Sequence, residues 1–338
     1  MSSPASSFDL IGIGSPIMDL TAPVPESFLA GVRGDKGGMV LVDAAEMDSI
    51  IARLPAPPSL ENGGSAANVV RNAAGLGLRA TFLGKLGHDT TAATYRTQAA
   101  AAGVDVSRFK TAALPNARCL ALITPDAART MRTDLGAAIT LSPAELTAAD
   151  FAGVRHCHIE GYLVFNPALA DAVLARARAS GATVSLDIAS FEVVNASRDW
   201  LFAQFRQGGI GIVFANEDEI RALYPDSGDD YAALTRRLAS EGVVAVVKVG
   251  KDGAWIARGT ELHRIAPVPA PQVIDTNGAG DAFAGAFLHA HLNGWSLPAA
   301  GALAALVGSE SVRHSGPAIP AHRWPELRAA ASKLAPTT

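Results

Sequence analysis

A layered α/β fold, with a central, mostly parallel sheet and a small accessory sheet, is predicted by three observations. Short β-branched runs alternate with longer Ala/Leu-rich segments of helical period along most of the chain. Two stretches, Leu20 to Asp43 and Asn116 to Leu135, break that rhythm with glycine, proline and hairpin-like alternation. With 338 residues, 49% of them apolar, the chain can bury a large core, and one main domain with an appendage fits that length better than two equal halves.

The strands are expected where apolar, β-branched runs are short and bounded by turn residues: Asp9 to Ile13, Ala80 to Leu83, His156 to Glu160, Thr183 to Asp187, Gly211 to Phe214 and Val243 to Val249. Helical periodicity places crossover helices between them, near Ala66 to Gly75, Thr91 to Ala102, Pro167 to Ser180, Glu217 to Tyr224, Tyr231 to Glu241 and Leu297 to Val312. In the second irregular stretch, Cys119 to Thr124 and Thr130 to Thr133 flank the turn-like Pro125-Asp126. Both irregular stretches read as strands with one face uncovered, and together they are expected to form a small sheet that closes over a ligand site and excludes water. The cluster Pro55 to Pro58 marks an exposed loop, and there is no internal repeat or low-complexity linker.

Charge and composition exclude several partners. A net charge of −4 without any long Lys/Arg run argues against nucleic acid or an anionic membrane surface, so an anionic ligand must be held by local groups. Met1 to Ser7 is polar, and no run of about 18 apolar residues occurs, so a soluble, cytoplasmic protein is expected. Cys119 and Cys157 stand in unrelated contexts and suggest neither a disulfide framework nor a thiolate zinc site.

The densest chemistry lies in Asp275-Thr276-Asn277-Gly278-Ala279-Gly280-Asp281, which runs straight into the apolar segment Ala282 to His291. Gly278 and Gly280 permit a sharp turn and a close approach, and Phe283, Ala286, Phe287 and Ala290 recur at helical spacing. Free backbone N–H groups and the positive end of a helix dipole then converge on one spot suited to a phosphoryl group. Asp281, in the first turn, is placed to accept a proton from an attacking hydroxyl. An ordinary loop-to-helix junction also uses such residues; Asp275 at the loop's start, and three further sites, set this one apart.

The first of those sites is Glu61-Asn62-Gly63-Gly64-Ser65-Ala66-Ala67-Asn68. Its paired glycines allow backbone approach to a ligand, Ser65 is expected to cap the following helix, and Asn68 offers a donor and acceptors to a polyhydroxylated ligand. A close-packed helix start would use the same small residues. The second is Gly14-Ser15-Pro16-Ile17-Met18-Asp19, where a carboxylate follows the first strand. There Asp19 could take two hydroxyls of a diol, or simply occupy a solvated turn. The third, Asn216-Glu217-Asp218-Glu219, has capping-box spacing, and Glu219 could equally organise water around a magnesium ion. Spacing alone does not separate these two.

Two other phosphate motifs fail. A Walker A loop ending at Gly84-Lys85 needs glycine at Arg79 and a hydroxyl at Leu86, and a dinucleotide fingerprint starting at Gly12 needs a small residue at Ile17.

These residues together resemble the PfkB, or ribokinase-like, family of carbohydrate and nucleoside kinases, from Phe8 to about Pro320. Both family signatures, Gly63 to Asn68 and Asp275 to Asp281, are present. Within it the chain is similar to the adenosine kinase branch, through Gly14 to Asp19, Gly161-Tyr162, the Asp-Thr-Asn form of the loop, and Arg313-His314-Ser315-Gly316. The resemblance implies a three-layer αβα ribokinase-like kinase domain over residues 1–330, a small β-sheet lid from segments 20–43 and 116–135, and a C-terminal tail at 331–338. It implies ATP and magnesium as cofactors, with a monovalent cation such as potassium bound beside Asp275 and Thr276 near Ser309 to Gly316.

By the same resemblance Asp281 is the base acting on a substrate hydroxymethyl group, and Gly278, Ala279 and Gly280 are the anion hole. Asp19, Gly64 and Asn68 match groups that hold sugar hydroxyls. Asn216 and Glu219 match an Asn-x-x-Glu element near magnesium and phosphate, while Gly250, Gly253 and Asn277 border the nucleotide. The pocket departs from eukaryotic adenosine kinases at Ser15 and Ala67. Met39 and Leu163 stand where an amide and an aromatic would hold adenine, and Phe165 or Phe191 could compensate. The expected activity is phosphorylation of a primary hydroxyl on a ribose-containing nucleoside such as adenosine. The alternatives are a free sugar as acceptor, or a catalytically silent nucleoside-binding protein. Either a monomer or a homodimer through the lid is compatible.

Overall fold

The structure is a computed structural model that describes residues 7–126 and 128–336. Its centre is a nine-stranded sheet, in the order Glu261–Ile265, Ala254–Arg258, Val244–Lys248, Ile212–Ala215, Thr183–Asp187, Val154–Glu160, Phe8–Ile13, Ala80–Leu83 and Val104–Asp105. All neighbours are parallel except at one edge, where Ala254–Arg258 and Glu261–Ile265 add an antiparallel hairpin. Parallel strands need crossovers, and the intervening helices cover both faces. One face buries Val69, Phe287 and Leu303 of the helices Ser65–Leu76, Ala279–Leu292 and Leu297–Ser311. The other buries Val173, Leu201 and Leu238 of Pro167–Ser180, Phe191–Arg206 and Tyr231–Ala239. This is the three-layer ribokinase-like α/β arrangement.

Local chemistry explains where these helices begin. Asn166 accepts from the N–H of Leu169 at 3.2 Å, with Pro167 in the first helical position, so an otherwise orphaned donor is satisfied and φ is preset. Phe191–Arg206 starts the same way on Ser190. This helix, the edge hairpin and the helix Ala44–Ala52 were not expected from the sequence pattern.

A separate five-stranded sheet runs Met39–Leu41, Arg129–Asp134, Arg118–Ile123, Met18–Pro23 and Ser59–Asn62. The helix Ala44–Ala52 packs its Met47 and Ile50 beneath it, together with Met18, Leu20, Leu120 and Leu122. On the opposite face the register aligns Asp19 with Cys119 and Glu61, and Cys119 with Thr133. Met39 and Leu41, at one edge, are 56% and 54% exposed. Three boundaries differ from expectation. Asp19 belongs to a strand of this sheet that starts at Met18, since Ile17 already turns the chain out of the large sheet. Ser59–Asn62 adds a strand directly after the proline cluster. Residues 331–334 are the last turn of the helix Trp324–Leu334, with Ala331 buried against the core, rather than a tail. Cys157 is buried and Cys119 partly buried, both as free thiols.

Candidate active site

The helix Ala279–Leu292 begins at Gly278, whose φ of 75° is left-handed and whose absent Cβ would stand 2.6 Å from Pro317. Only glycine meets both conditions. The first-turn N–H groups of a helix lack intrahelical partners. Here Ala279 N donates to Thr276 O at 3.3 Å, and the turn at Gly278 to Gly280 carries the positive end of a 14-residue helix. Lys248 closes this turn from below. Its ammonium would lie 3.2 Å from a Cβ at Gly280, and it is bonded to Asp187 Oδ2 at 2.7 Å.

Asp281, in that first turn, faces the helix Ser65–Leu76. Ser65 Oγ donates to its Oδ1 at 2.9 Å, and Asn68 Nδ2 donates to its Oδ2 at 2.8 Å. Ser65 is therefore not the cap. Gly64 takes that position, with φ of 94° and the Ser15 carbonyl 2.3 Å from where a Cβ would be, which frees the hydroxyl to reach across to Asp281. Burial raises the Asp281 carboxyl to about 6, and Asp187 adds to the rise, while Asn68, Lys248 and Ser65 oppose it. A carboxylate near that value is a competent proton acceptor at neutral pH.

Asp19 closes the opposite wall, against Gly63, where a Cβ would fall 2.3 Å from its Oδ2. Burial pushes it to about 7; Arg71 opposes the rise and Glu61 adds to it. Glu160, at the C-terminal end of its strand beneath Gly14, is likewise raised by burial to about 7 and accepts weakly from Ala66 N at 3.4 Å. The turn is held from below by Tyr95, which donates to Gly63 O at 2.9 Å. Glu160, Asp187, Lys248, Arg71 and Tyr95 carried no sequence signal, since none belongs to a contiguous motif and they come together only on folding. The only available hint was a charge ending a buried strand.

Glu219 realises the capping geometry: Oε2 accepts from Asn216 N at 2.8 Å, Oε1 from Asn216 Nδ2 at 2.7 Å, and Asn216 Oδ1 receives Glu219 N at 2.9 Å. It is also buried beside Asp187 and Lys248, and burial raises it to about 7. The capping reading is thus realised in full. Gly250 and Gly253 shape the turn after Val244–Lys248, with Val249 N bonded to Gly253 O at 2.9 Å. Among the described residues, no cluster of three or more His, Cys, Asp or Glu is placed to hold a metal ion.

Asp275 is bridged to the small sheet. Arg129 Nη1 meets Oδ1 at 3.0 Å and Oδ2 at 2.9 Å, and Asn277 N and Gly316 N each donate to the carboxylate at 3.0 Å. A guanidinium thus neutralises the carboxylate expected to bind a monovalent cation, so this carboxylate fits potassium poorly. Thr276 is exposed. Met39 lies at the edge of the small sheet, Leu163 in the turn Gly161–Phe165, and Phe191, 47% exposed, opens its helix.

The pfkB family carbohydrate kinase model matches residues 40–324. The chain is 26% identical to the adenosine kinase of Saccharomyces cerevisiae over 93% of its length and 97% of the yeast protein's. It superposes on the adenosine kinase of Sinorhizobium meliloti with a TM-score of 0.84 at 30% identity, covering 98% and 100% of the two chains. A probable sugar kinase from Rhizobium etli CFN 42 gives the same TM-score and identity, at 97% and 98% coverage. No described helix is long and apolar enough to cross a membrane. From the matched signatures and the shared fold, the chain is a kinase of the pfkB family, with adenosine kinases among its near relatives.

Proposed function

We propose that this kinase transfers the γ-phosphate of ATP to the primary hydroxyl of a ribose-containing substrate, with a nucleoside such as adenosine as acceptor. The observation that carries the reading is the meeting of Asp281, bonded to Ser65 and Asn68, with the glycine-bounded first turn of its own helix. In this reading ATP with magnesium supplies the phosphoryl group and neutralises part of its charge. The chain's residues do the rest. Asp19 and Asn68 orient the sugar hydroxyls, Asp281 takes the proton of the attacking hydroxymethyl, and the turn 278–280 receives the charge of the group in flight. Phosphoryl transfer asks mainly for positioning and electrostatic stabilisation, which two fixed walls provide. Glu219 and Asn216 would order water around the magnesium, and Gly250, Gly253 and Asn277 would border the nucleotide. Closure of the small sheet as a lid excludes water from the transfer.

A free sugar is the second reading. It is favoured by Leu163 and Met39, neither of which can stack on a base, and by the likeness to the Rhizobium etli probable sugar kinase. A coupled ADP-release assay with Mg-ATP and a panel of adenosine, other nucleosides, ribose and fructose separates the two. The proposal expects the largest kcat/KM with a nucleoside and an acidic limb near pH 6, set by Asp281. A large preference for a free sugar would overturn the nucleoside assignment, and no ADP release with any acceptor would favour a silent binding protein.

A further inference from the structure

We propose that Arg71 is a positioning residue for the transfer, fixing in one grip the acceptor turn Asn62–Gly64 and the amide of Asn68, and through Asn68 the carboxylate of Asp281. The inference rests on Asp281 being the base.

Arg71 lies one helical turn beyond Asn68, on the face directed at the acceptor turn. Its Nη1 donates to Asn62 O at 2.8 Å and its Nη2 to Asn68 Oδ1 at 2.9 Å. A guanidinium only donates, so it can face only the oxygen of that amide, and the Asn68 nitrogen is left to point at Asp281 Oδ2, 2.8 Å away. Were the amide reversed, its oxygen would oppose a carboxylate oxygen. The fork shape matters, because one planar group spans two partners on different elements, the strand Ser59–Asn62 and the helix Ser65–Leu76.

Packing does not account for an arginine here. Nε is buried without a partner among the described residues, as is Asn62 Oδ1, and both residues border an internal cavity of about 20 Å³ lined by Phe82, Tyr95 and Phe109. Burying a cation with an unsatisfied donor is costly, and an apolar side chain would fill the cavity at lower cost. What an apolar residue lacks is the charge. Glu61, Tyr95, Asp281 and Asp19 all face Arg71, while Asp187, Lys248, Glu160 and Asp19 are the other charged groups facing Asp281. Arg71 is thus a buried cation set among these carboxylates, joined at Asp19 by Arg129 of the small sheet, as Lys248 is on the phosphate side.

The test compares Arg71→Met and Arg71→Lys with the wild type in steady-state kinetics, per mole of folded enzyme, using the best acceptor of the panel. For Arg71→Met the acceptor KM rises and kcat falls, each by roughly tenfold or more, while the ATP KM stays within about twofold. The acidic limb of kcat/KM moves to higher pH, because removing a nearby cation favours the protonated carboxyl. Arg71→Lys keeps the charge and returns the limb to the wild-type position, but a single ammonium cannot bridge both partners and the acceptor KM stays raised. Wild-type acceptor KM and an unmoved limb in folded Arg71→Met would overturn the proposal. If that variant does not fold, a normal acceptor KM in Arg71→Lys would do so. A wild-type enzyme that turns over no acceptor sinks the functional reading itself, whereas turnover indifferent to both substitutions sinks only the role of Arg71.

Discussion

The two sheets of this protein solve opposite problems with the same period-two geometry. Strands such as Ile212–Ala215 and Val244–Lys248 in the large sheet are covered on both faces, so they read as almost unbroken apolar runs. Three of their charged residues, Asp187, Glu160 and Lys248, come at the C-terminal ends, where the sheet meets the site. The small sheet is packed on one face only. Its other face carries Asp19, Glu61 and Arg129, with Met39 and Leu41 left exposed at its edge. The two are therefore divided: a sealed scaffold holds Asp281 and the N-terminus of its helix, and a half-open sheet carries Asp19 and Glu61.

The contrast predicts unequal responses to substitution. Phe214, fully buried and packed edge-to-face on Phe287 at 5.6 Å, should cost about 3–5 kcal/mol when changed to alanine, read by denaturant unfolding. A loss under about 1 kcal/mol would mean the large sheet is not the rigid half.

The next effect concerns pH. Asp19, Glu160, Glu219 and Asp281 are all raised by burial, to between about 6 and about 7, so the folded state binds their protons more tightly than the unfolded chain does. Stability should be fullest below the ordinary carboxylate range near pH 4 and fall as pH rises toward 7. Asp9, lowered to about 2 by its hydrogen bond to Arg79, acts in the other direction. Glu310 does too: burial would raise it, but Arg323 and His314 bring it to about 2. Their contribution is lost as pH falls from about 4 through about 2, so Tm should peak on the acidic side of neutrality. A Tm flat between pH 4.5 and 7.5, or rising across it, would contradict the burial of these carboxyls.

Smaller still is the tie between the two halves. Arg129→Gln removes the ion pair to Asp275, which is partly exposed, so stability should change by no more than about 1 kcal/mol. Hydrogen exchange in the segments 129–134 and 274–278 should nonetheless speed up together. Unchanged protection in both would show that the pair joins nothing. Leu41→Ser, at the open edge, should shift stability by less than about 0.5 kcal/mol.

How much could be read from the sequence follows the same division. The parallel strands and their crossover helices were legible because burial on both faces leaves long apolar runs with clear periods. The edge hairpin was missed although Gly259-Thr260 separates its strands by a two-residue turn, because Glu261–Ile265 is mostly polar. Phe191–Arg206 was missed because its helical face is narrow and interrupted at Ser197, which leaves helical geometry. In the site, residues 275 to 281 and 63 to 68 stood out because their chemistry is contiguous. Lys248, Asp187, Glu160 and Arg71 did not, since folding assembles them from four elements. Ser65 was misread as a cap for a related reason: its partner, Asp281, lies 216 residues away.

In the proposed transfer, Asp281 accepts the proton while the turn before it receives the phosphoryl charge. Single-turnover kinetics of Asp281→Asn beside equilibrium binding of ATP and acceptor test this directly. The prediction is a loss of the chemical step by about three orders of magnitude or more, with both affinities within a few-fold of wild type. Turnover within tenfold of wild type would contradict it.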